Sequence, residues 1–372
     1  MALIELQTQS FRNLAPGSLR FSSSVNLIHG VNGSGKTSLL EAIHVLSTGR
    51  SFRTHKPENL VTLGDTQFTL FGRVTHNHRE HRLGFSRDFK RKETILKADG
   101  ERVRSLATMA RELPVSVIEP GTFDIVAGGP GKRRQFLDWL VFHVEPSFAG
   151  IWQRCQKSLS QRNHCLRNGT MGDSQIRVWD RQFVEQAVMV TQLRRTCFER
   201  FVPLLQGLLE TMEAPWAREV SLGFYQGWSA SRELDEVLSE SLPQESRVGH
   251  TLHGPHRADL QIRVAGRRAN EVLSRGQQKT LVVLMKLAQM ALVNRHNDRH
   301  GICLLDDINA ELDQGNRELL AHQLLQLGSQ VFVTSIERPD PSHLWREAVN
   351  DLAMFHVEHG TFNQEQQALQ EP

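Results

Sequence analysis

The chain has 372 residues, a formal net charge of +3, 39% hydrophobic residues and 23% charged residues. This composition is typical of a soluble globular protein, and the length allows two or three domains. No apolar run approaches the ~20 residues of a membrane-spanning helix, and the first residues lack the basic start of a signal peptide. We therefore expect a cytoplasmic protein without a membrane partner.

Near the start of the chain, a predicted hairpin leads into a glycine-rich loop. Strands are predicted at 2–8, 19–21 and 25–28, and a helix at 38–47 that ends near Gly49. Between the third strand and the helix, the whole pattern of a phosphate-binding loop is present in Gly30, Val31, Asn32, Gly33, Ser34, Gly35, Lys36 and Thr37. A glycine-rich surface turn, the alternative, would not require the flanking strand and helix.

The chemistry of this loop is that of a nucleotide site. Glycines permit backbone angles closed to other residues, so that successive amides turn toward the β-phosphate of a bound nucleotide. Lys36 adds a mobile positive charge, and Thr37 adds a hydroxyl for Mg²⁺. The sequence therefore predicts a nucleotide and Mg²⁺ as cofactors.

The middle of the chain changes from strands to helices. Antiparallel strands are predicted at 68–74, 82–85 and 94–97, and a further strand, bounded by Pro114 and Pro120, at 115–119. From 132 to 213 the pattern is helical, which indicates antiparallel helices that form an arm with apolar stripes for core packing. The other predicted features are a turn at Asp99 and Gly100, a break at 168–174, a strand at 220–224, a helix at 232–242 ended by Pro243, a strand at 261–264 with a turn at Gly266, and a frayed tail after Asn363.

A second informative stretch supplies acidic residues. Residues 302–305 are apolar and end at Asp306, a pattern typical of a buried parallel strand that presents a carboxylate at the edge where α/β sheets bind ligands. Mg²⁺ needs such a partner beside Thr37. Asp307 could polarise or deprotonate the attacking water. We therefore predict Lys36, Asp306 and Asp307 as catalytic residues and Thr37 and Asp306 as metal ligands.

A third stretch, residues 273–279, reads Leu-Ser-Arg-Gly-Gln-Gln-Lys and precedes an apolar helix predicted over 281–290. Ser274 is a natural helix N-cap, and Gly276 leaves the amides of the first turn unobstructed. The pattern therefore predicts a helix end prepared to bind an anion.

Basic residues cluster in three segments of the sequence. These are Arg73, Arg79, Arg82, Arg87, Lys90, Arg91, Lys92 and Lys97; Lys132, Arg133 and Arg134; and Arg263, Arg267, Arg268, Arg275 and Lys279. On one face they would follow the phosphates of a nucleic acid with salt-sensitive affinity. The alternative is that each cluster protects a solvated strand edge. The sequence alone leaves both interpretations open.

The motifs occur in an order that resembles the ABC-type ATPases, in the branch of the chromosome-maintenance proteins. This order is phosphate loop, helical insertion, the 273–279 signature, and Leu-Leu-Asp-Asp followed by Ala310-Glu311-Leu312-Asp313. Within that branch, residues 51–54, 129–138, 254–260 and 273–279 resemble the RecF family of DNA repair and recombination proteins. The resemblance covers nearly the whole chain.

The resemblance implies an α/β fold. We expect an ABC-type ATPase head, with a mixed sheet around the phosphate loop and an antiparallel β subdomain, plus an inserted helical arm domain. Residues 1–113 together with 250–372 would form the head with both Walker motifs. Residues 114–249 would form the arm, which leads into the signature motif at 273–279.

The resemblance also implies that two heads dimerise around ATP, so that the signature of one head completes the site of the other. The residues it places near the nucleotide or at the dimer seam are Arg12, Asn13, Ser274, Arg275, Gly276, Gln277 and Asp313. Members of such a family bind single-stranded, gapped and duplex DNA, and act with RecR and RecO to place RecA on single strands. The implied role is recombinational repair, with links to replication and the SOS response.

Three departures from the ABC pattern point to slow hydrolysis. The glutamine common before the helical domain is not evident, because the corresponding predicted strand ends Val117-Ile118-Glu119-Pro120. Asp307 stands where many transporters have glutamate, and 331–335 lacks the histidine often found after this strand. We therefore expect a weak, DNA-dependent ATPase that acts as a switch.

Two other classes of protein use part of these motifs. The motor of a membrane transporter carries the same signature, but it predicts a shorter chain without the ~100 residues of helical arm and basic segment. A small-molecule kinase uses the phosphate loop, but it leaves Ser274 to Lys279 without a role.

Overall fold

The computed structural model describes residues 1–77, 79–168, 173–297 and 300–365. The chain forms two compact units, one made of Met1–Thr122 and the chain from Lys279 onward, the other of Phe123–Gln278. No helix of the described chain is long and apolar enough to cross a membrane.

The secondary structure alternates between strands and helices along the described chain. The strands are β1 (Ala2–Gln9), β2 (Gly17–Arg20), β3 (Val25–His29), β4 (Gln67–His76), β5 (Arg79–Asp88), β6 (Glu93–Ala98), β7 (Glu101–Val103), β8 (Val115–Ile118), β9 (Val220–Tyr225), β10 (Asp259–Val264), β11 (Arg267–Arg268), β12 (Ile302–Leu305), β13 (Gln330–Ser335), β14 (Leu352–Glu358) and β15 (Thr361–Glu365). The α-helices are α1 (Lys36–Thr48), α2 (Leu106–Glu112), α3 (Asp124–Ala127), α4 (Pro130–Val144), α5 (Phe148–Asn168), α6 (Asp173–Glu210), α7 (Pro215–Arg218), α8 (Leu234–Val248), α9 (Ala269–Val272), α10 (Arg275–Asn297), α11 (Ile308–Glu311), α12 (Gln314–Gln326) and α13 (Pro341–Leu344).

One sheet of the first unit is antiparallel, in the order β2-β1-β4-β5-β6-β7. Its apolar face carries residues such as Leu70 and Phe85, which are directly opposite each other and join one core with Leu39 and Leu46 of α1. The predicted strands of this region and the turn at Asp99 and Gly100 are confirmed. This sheet therefore packs against α1 through a shared apolar core.

The second sheet of this unit, ordered β15-β14-β3-β13-β12-β8, positions the functional loops. Its strands β14, β3, β13, β12 and β8 run parallel, and every residue of β3, β12 and β13 is buried. Because parallel strands end at a common edge, the segments after β3, β12 and β13 come together there. The predicted buried parallel strand before Asp306 is confirmed.

The second unit contains α4, α5, α6 and α8 and a three-stranded sheet in the order β11-β10-β9. The predicted antiparallel helices are confirmed: along α5 and α6, Arg154 contacts Gln186 while Arg162 contacts Asp180. Part of the predicted break at 168–174 lies outside the described residues. The apolar stripe of α4, which includes Phe136 and Leu140, is buried.

The buried guanidinium of Arg162 ties several segments of this unit together. It lies 2.6 Å from Asp180 of α6, 2.7 Å from Glu245 of α8 and 2.8 Å from the hydroxyl of Thr251. Both Arg162 and Glu245 have fully buried side chains. One cation and two carboxylates thus share a dry site, and burial raises the pKa of Asp180.

Three predictions differ from the structure. The prediction that Pro243 ends a helix is wrong, because α8 continues to Val248 and places Glu245 against Arg162. The predicted domain boundaries at 113/114 and 249/250 differ from the observed division, since β8 pairs with β12 in the first unit and β10 pairs with β9 in the second. The tail is paired beyond Asn363, in β15 up to Glu365, and its remainder lies outside the described residues.

Candidate nucleotide-binding site

The phosphate loop follows β3 directly and ends in α1, as predicted. Gly35 precedes the helix with φ 121°, and Gly30 has φ 153°. A Cβ added at Gly30 would collide with the backbone oxygen of Val357 in β14. The loop therefore needs glycine both for its backbone angles and for the close approach of a neighbouring strand.

Inside the loop, polar atoms are arranged to meet an anion. The ammonium of Lys36 donates to the carbonyl oxygens of Gly30 at 2.6 Å and Val31 at 3.0 Å. Burial lowers the pKa of Lys36, while the nearby Asp306 and Asp307 oppose that shift. The hydroxyl of Ser34 is buried and has no hydrogen-bond partner among the residues that the structure describes. These groups fit a bound phosphate chain, which would satisfy the hydroxyl and the ammonium.

The acid after β12 lies beside the loop. Thr37 and Thr334 both donate their hydroxyls to Asp306 Oδ1, each at 2.9 Å. Burial raises the pKa of Asp306, and the two hydroxyl donors counteract the shift. The hydroxyl of Thr37 and the carboxylate of Asp306 are adjacent oxygen ligands of the kind Mg²⁺ prefers.

Asp307 adopts the left-handed conformation, with φ 49° and ψ 42°. Its N–H donates to the hydroxyl of Thr334 at 2.9 Å, which fixes the turn after β12. Residues other than glycine rarely adopt this conformation, and those that do are often found at functional sites. Thr334 of β13 thus positions both acids.

The residues of the first unit enclose a cavity of about 360 Å³, a size within the usual range of ligand pockets. It is lined by Arg12, Asn13, Asn32, Gly33, Gly35, Lys36, Thr37, Ser38, Arg53, Asp306, Asp307 and Thr334. The structure thus brings together most of the residues predicted for this site. Sequence reasoning missed Ser38, Arg53 and Thr334 as lining residues.

Two of the predicted residues are fixed by side-chain hydrogen bonds. Asn13 donates to the carbonyl of Gly33 at 3.0 Å and accepts from the hydroxyl of Ser38 at 2.7 Å. Arg12 forms a bidentate pair with Glu41, with both bonds at 2.7 Å. The segment after β1 is therefore bound to the loop and to α1.

A turn from a distant part of the sequence also holds the loop. Gly360, between β14 and β15, donates its N–H to the carbonyl of Ser34 at 2.7 Å and accepts from the N–H of Ala15 at 3.0 Å. Its φ is 79°, and an added Cβ would collide with the backbone oxygen of Asn13. This turn was not predicted, because no local pattern links it to the loop.

The signature residues Ser274, Arg275, Gly276 and Gln277 lie in the second unit and are not among the residues that line the cavity. Ser274 and Gln277 form a reciprocal capping box: Gln277 N–H donates to Ser274 Oγ at 3.3 Å, and Ser274 N–H donates to Gln277 Oε1 at 2.9 Å. The predicted N-cap is confirmed.

Two other residues named from the ABC pattern have local structural roles. Asp313 caps α12 by accepting from the N–H of Asn316 at 2.9 Å. Glu119 accepts from the N–H of Gly121 at 2.7 Å and is not among the described residues that line the cavity. The role of the missing glutamine therefore stays unassigned.

The three basic clusters have different environments. In the first, Arg73 and Arg82 contact carboxylates such as Glu80, whereas Lys90 and Lys92 are exposed. In the third, Arg267, Arg268 and Arg275 are exposed, and Lys279 pairs with Glu311 at 2.8 Å. Exposed members of both clusters are accessible to an anionic partner.

Two members of the second cluster, Arg133 and Arg134, are partly buried and bind within the second unit, which neither interpretation of the sequence predicted. Arg133 forms a bidentate pair with Asp259 at 2.7 and 3.1 Å, and Arg134 donates to the carbonyl of Ala258 at 2.8 Å. Desolvation by burial lowers the pKa of Arg134. These arginines secure the segment before β10, while Lys132 is exposed.

Arg133→Gln is therefore expected to lower the free energy of unfolding by ~1–3 kcal/mol, because Asp259 loses a charged, partly buried partner. Thermal unfolding measures this loss, and Lys132→Gln, at the exposed neighbour, should stay within ~0.5 kcal/mol of the parent protein. A normal melting temperature for Arg133→Gln, combined with a smaller salt dependence of DNA binding, would contradict the structural role.

Comparison with known proteins shows to which class this protein belongs. The model of the RecF/RecN/SMC N-terminal domain family matches residues 2–362. An Smc head solved in complex with the C-terminal winged-helix domain of ScpA superposes with a TM-score of 0.56 at 14% identity, covering 99% of both chains. The fold is that of an ATPase head of this class, with an antiparallel β subdomain and a helical insertion.

Closer similarity is found within that class. The DNA replication and repair protein RecF of Marinobacter nauticus is 51% identical over 98% of this chain and 100% of its own length. The recombination mediator protein RecF-ATP of the RecFOR pathway superposes with a TM-score of 0.87 at 25% identity, covering 98% of each chain. This chain belongs to the RecF family.

Proposed function

We propose that this protein is an ATP-dependent DNA-binding switch of recombinational repair. ATP and Mg²⁺ would bind at the phosphate loop, with Thr37 and Asp306 as metal ligands, and Asp307 would activate the attacking water. Two copies would close around the nucleotide and hold DNA, and slow hydrolysis would reopen them. The observation that carries this proposal is the cavity in which Lys36, Thr37, Asp306 and Asp307 converge.

Closure by a second copy is supported by the exposed signature. Gly276 lies in the first turn of α10, where a Cβ would meet nothing within 4 Å. Glycine in a helix costs roughly 1 kcal/mol relative to alanine, and the folded monomer supplies no steric reason for it. Close approach of another chain and its ATP to this helix end accounts for the glycine.

The proposed partners follow from the family. The relative of known structure is named as a protein of the RecFOR pathway, which implies that this protein associates with RecO and RecR. Through these partners it would help to place RecA on single strands in the cytoplasm. DNA would contact exposed basic residues such as Lys90, Lys92, Arg267 and Arg268. Links to replication and the SOS response belong to the same proposal.

The direct test is gel filtration of the protein with and without ATP and with and without gapped DNA. We expect a monomer without ATP, a dimer with ATP and Mg²⁺, and co-elution with DNA only in the dimeric state. DNA titrations at several salt concentrations, with and without ATP, measure the number of phosphate contacts and their coupling to the nucleotide. A protein that transferred phosphate to a metabolite, and not to water, would point to a kinase.

Substitutions of the two neighbouring acids are expected to have different effects on ATP binding and on hydrolysis. Asp306→Asn should reduce Mg²⁺-dependent ATP hydrolysis at least about 100-fold and weaken Mg²⁺-ATP binding, because the amide replaces a charged metal ligand that accepts two hydroxyl bonds. Asp307→Asn should leave ATP affinity within about twofold while hydrolysis falls, since its role is confined to the water. Steady-state hydrolysis and equilibrium ATP titration measure both, and unchanged hydrolysis by Asp307→Asn would contradict the assignment.

A further inference from the structure

A buried carboxylate on the helix after the phosphate loop joins two arginines of the cavity wall. Glu41 of α1 has a fully buried side chain. Its two oxygens accept from Arg12 Nε and Nη2 at 2.7 Å each, and Arg53 Nη1 lies 3.7 Å away. Arg12 and Arg53 both line the nucleotide cavity.

A second link connects Glu41 to the segment that carries Arg53. The hydroxyl of Ser51 donates to Glu41, and the same hydroxyl accepts from the N–H groups of Arg53 and Thr54 at 2.9 Å each. Ser51 thereby fixes the backbone turn from which the Arg53 side chain extends. The position of this turn relative to α1 depends on Glu41.

Other residues of α1 support the same segment. His44 Nδ1 lies 2.7 Å from the carbonyl oxygen of Arg50, which makes Nδ1 the donor, and its ring packs edge-on against Phe52 at 5.5 Å between centroids. Thr48 also donates to the carbonyl of Arg50 at 3.2 Å. One face of the helix that begins at Lys36 therefore holds the segment that presents Arg53.

The charges at this position suit an anion in the cavity. One carboxylate faces two guanidinium groups, so the cluster keeps a net positive charge. The bidentate pair uses two of the five N–H groups of Arg12 and leaves the others available to an anion. A buried ion pair contributes little net stability compared with apolar residues, so stability alone does not account for a charged Glu41 here.

We propose that Glu41 is a positioning residue of the nucleotide site, which fixes Arg12 directly and Arg53 through Ser51 in register with the loop residues carried by α1. This inference rests on the proposed ATP site, and it goes beyond it by assigning a role to a residue that does not contact the nucleotide. Glu41 makes the placement of both arginines depend on the helix that begins with Lys36 and Thr37.

Glu41→Gln tests the proposal, because glutamine keeps the size of the side chain but presents one N–H₂ group to the donors of Arg12. We expect the dissociation constant for ATP to rise about tenfold, the effect of losing one oriented charge-assisted contact. Titration with a fluorescent ATP analogue measures it. In the background of Arg12→Ala, adding Glu41→Gln should change the constant by about threefold or less, since only its effect on Arg53 remains.

Glu245→Gln is the matched control, because Glu245 is equally buried and lies 2.7 Å from Arg162 in the other unit. It should lower the melting temperature while ATP affinity stays within about twofold of the parent protein. Ser51→Ala is the milder variant if Glu41→Gln does not fold. Losing one hydroxyl should weaken ATP binding about threefold, and it should have no further effect in the background of Arg53→Ala, because Ser51 acts on the turn that carries Arg53.

The outcomes separate this inference from the proposed function. If the parent protein binds ATP and Glu41→Gln binds it equally well, or if the effects of Glu41→Gln and Arg12→Ala add fully, Glu41 has no positioning role. For Ser51→Ala, unchanged ATP affinity would overturn the inference in the same way. If the parent protein itself does not bind ATP, the proposed function fails instead.

Discussion

Lys36→Met is expected to weaken ATP binding at least about 100-fold and to abolish ATP-dependent dimerisation. The ammonium of Lys36 donates to two carbonyl oxygens of its own loop and lies at the cavity wall, so its charge is already positioned for the phosphates. Each charge-assisted hydrogen bond contributes ~1.5–3 kcal/mol, and two such bonds correspond to ~100-fold or more in affinity. Equilibrium titration with ATP measures the loss, and gel filtration measures dimerisation.

Methionine suits this test because it has similar length and tolerates the burial of the Lys36 side chain, which is 8% exposed. Lys56→Met, at an exposed lysine of the same unit, is the control and should bind ATP normally. A Lys36→Met protein that still dimerised and held DNA in the same ATP-dependent way would contradict the mechanism.

Arg162→Leu is expected to be the most destabilising single change considered in the second unit. It leaves Asp180 and Glu245 buried without their cation, and breaking a buried ion pair in this way costs about 3–5 kcal/mol. For a unit of this size, such a loss lowers the melting temperature by about 10 °C. Thermal unfolding followed by circular dichroism measures it.

Arg154→Leu provides the matched control, because Arg154 lies on the same helix and contacts Gln186 of α6 but is exposed. Its effect should stay within about 0.5 kcal/mol. Adding Asp180→Asn and Glu245→Gln to Arg162→Leu should recover part of the lost stability, since the uncompensated charges are removed. A triple variant that is less stable than Arg162→Leu would show that the carboxylates stabilise the unit by other contacts.

Motifs that are contiguous in sequence were predicted accurately. The phosphate loop, the strand before Asp306 and the N-cap at Ser274 depend on local backbone preferences and on short-range hydrogen bonds. The resemblance to the ABC-type ATPases and the RecF family is confirmed by the family model and by the relatives. The fold class could therefore be obtained from the sequence.

Contacts between distant segments could not be predicted in the same way. In the sequence, Glu41 is a polar residue of a largely apolar helix. Nothing near it in sequence indicates that its carboxylate accepts hydrogen bonds from Arg12 and Ser51. Arg133 looks like a surface cation until Asp259 is placed beside it by the fold. Pro243 normally ends a helix, but the burial of Glu245 against Arg162 outweighs that local preference.

The turn at Gly360 has a consequence for the order of events during synthesis. β14 lies beside β3, and the contact between His29 and Glu365 joins residues 336 positions apart. At ~5–20 residues per second, a ribosome makes the loop roughly 16–65 s before the hairpin that contacts it. A nascent chain thus carries the complete phosphate-loop motif for most of its synthesis without the support of Ser34 by Gly360. The phosphate loop therefore acquires this support only after more than 300 further residues have been added to the chain.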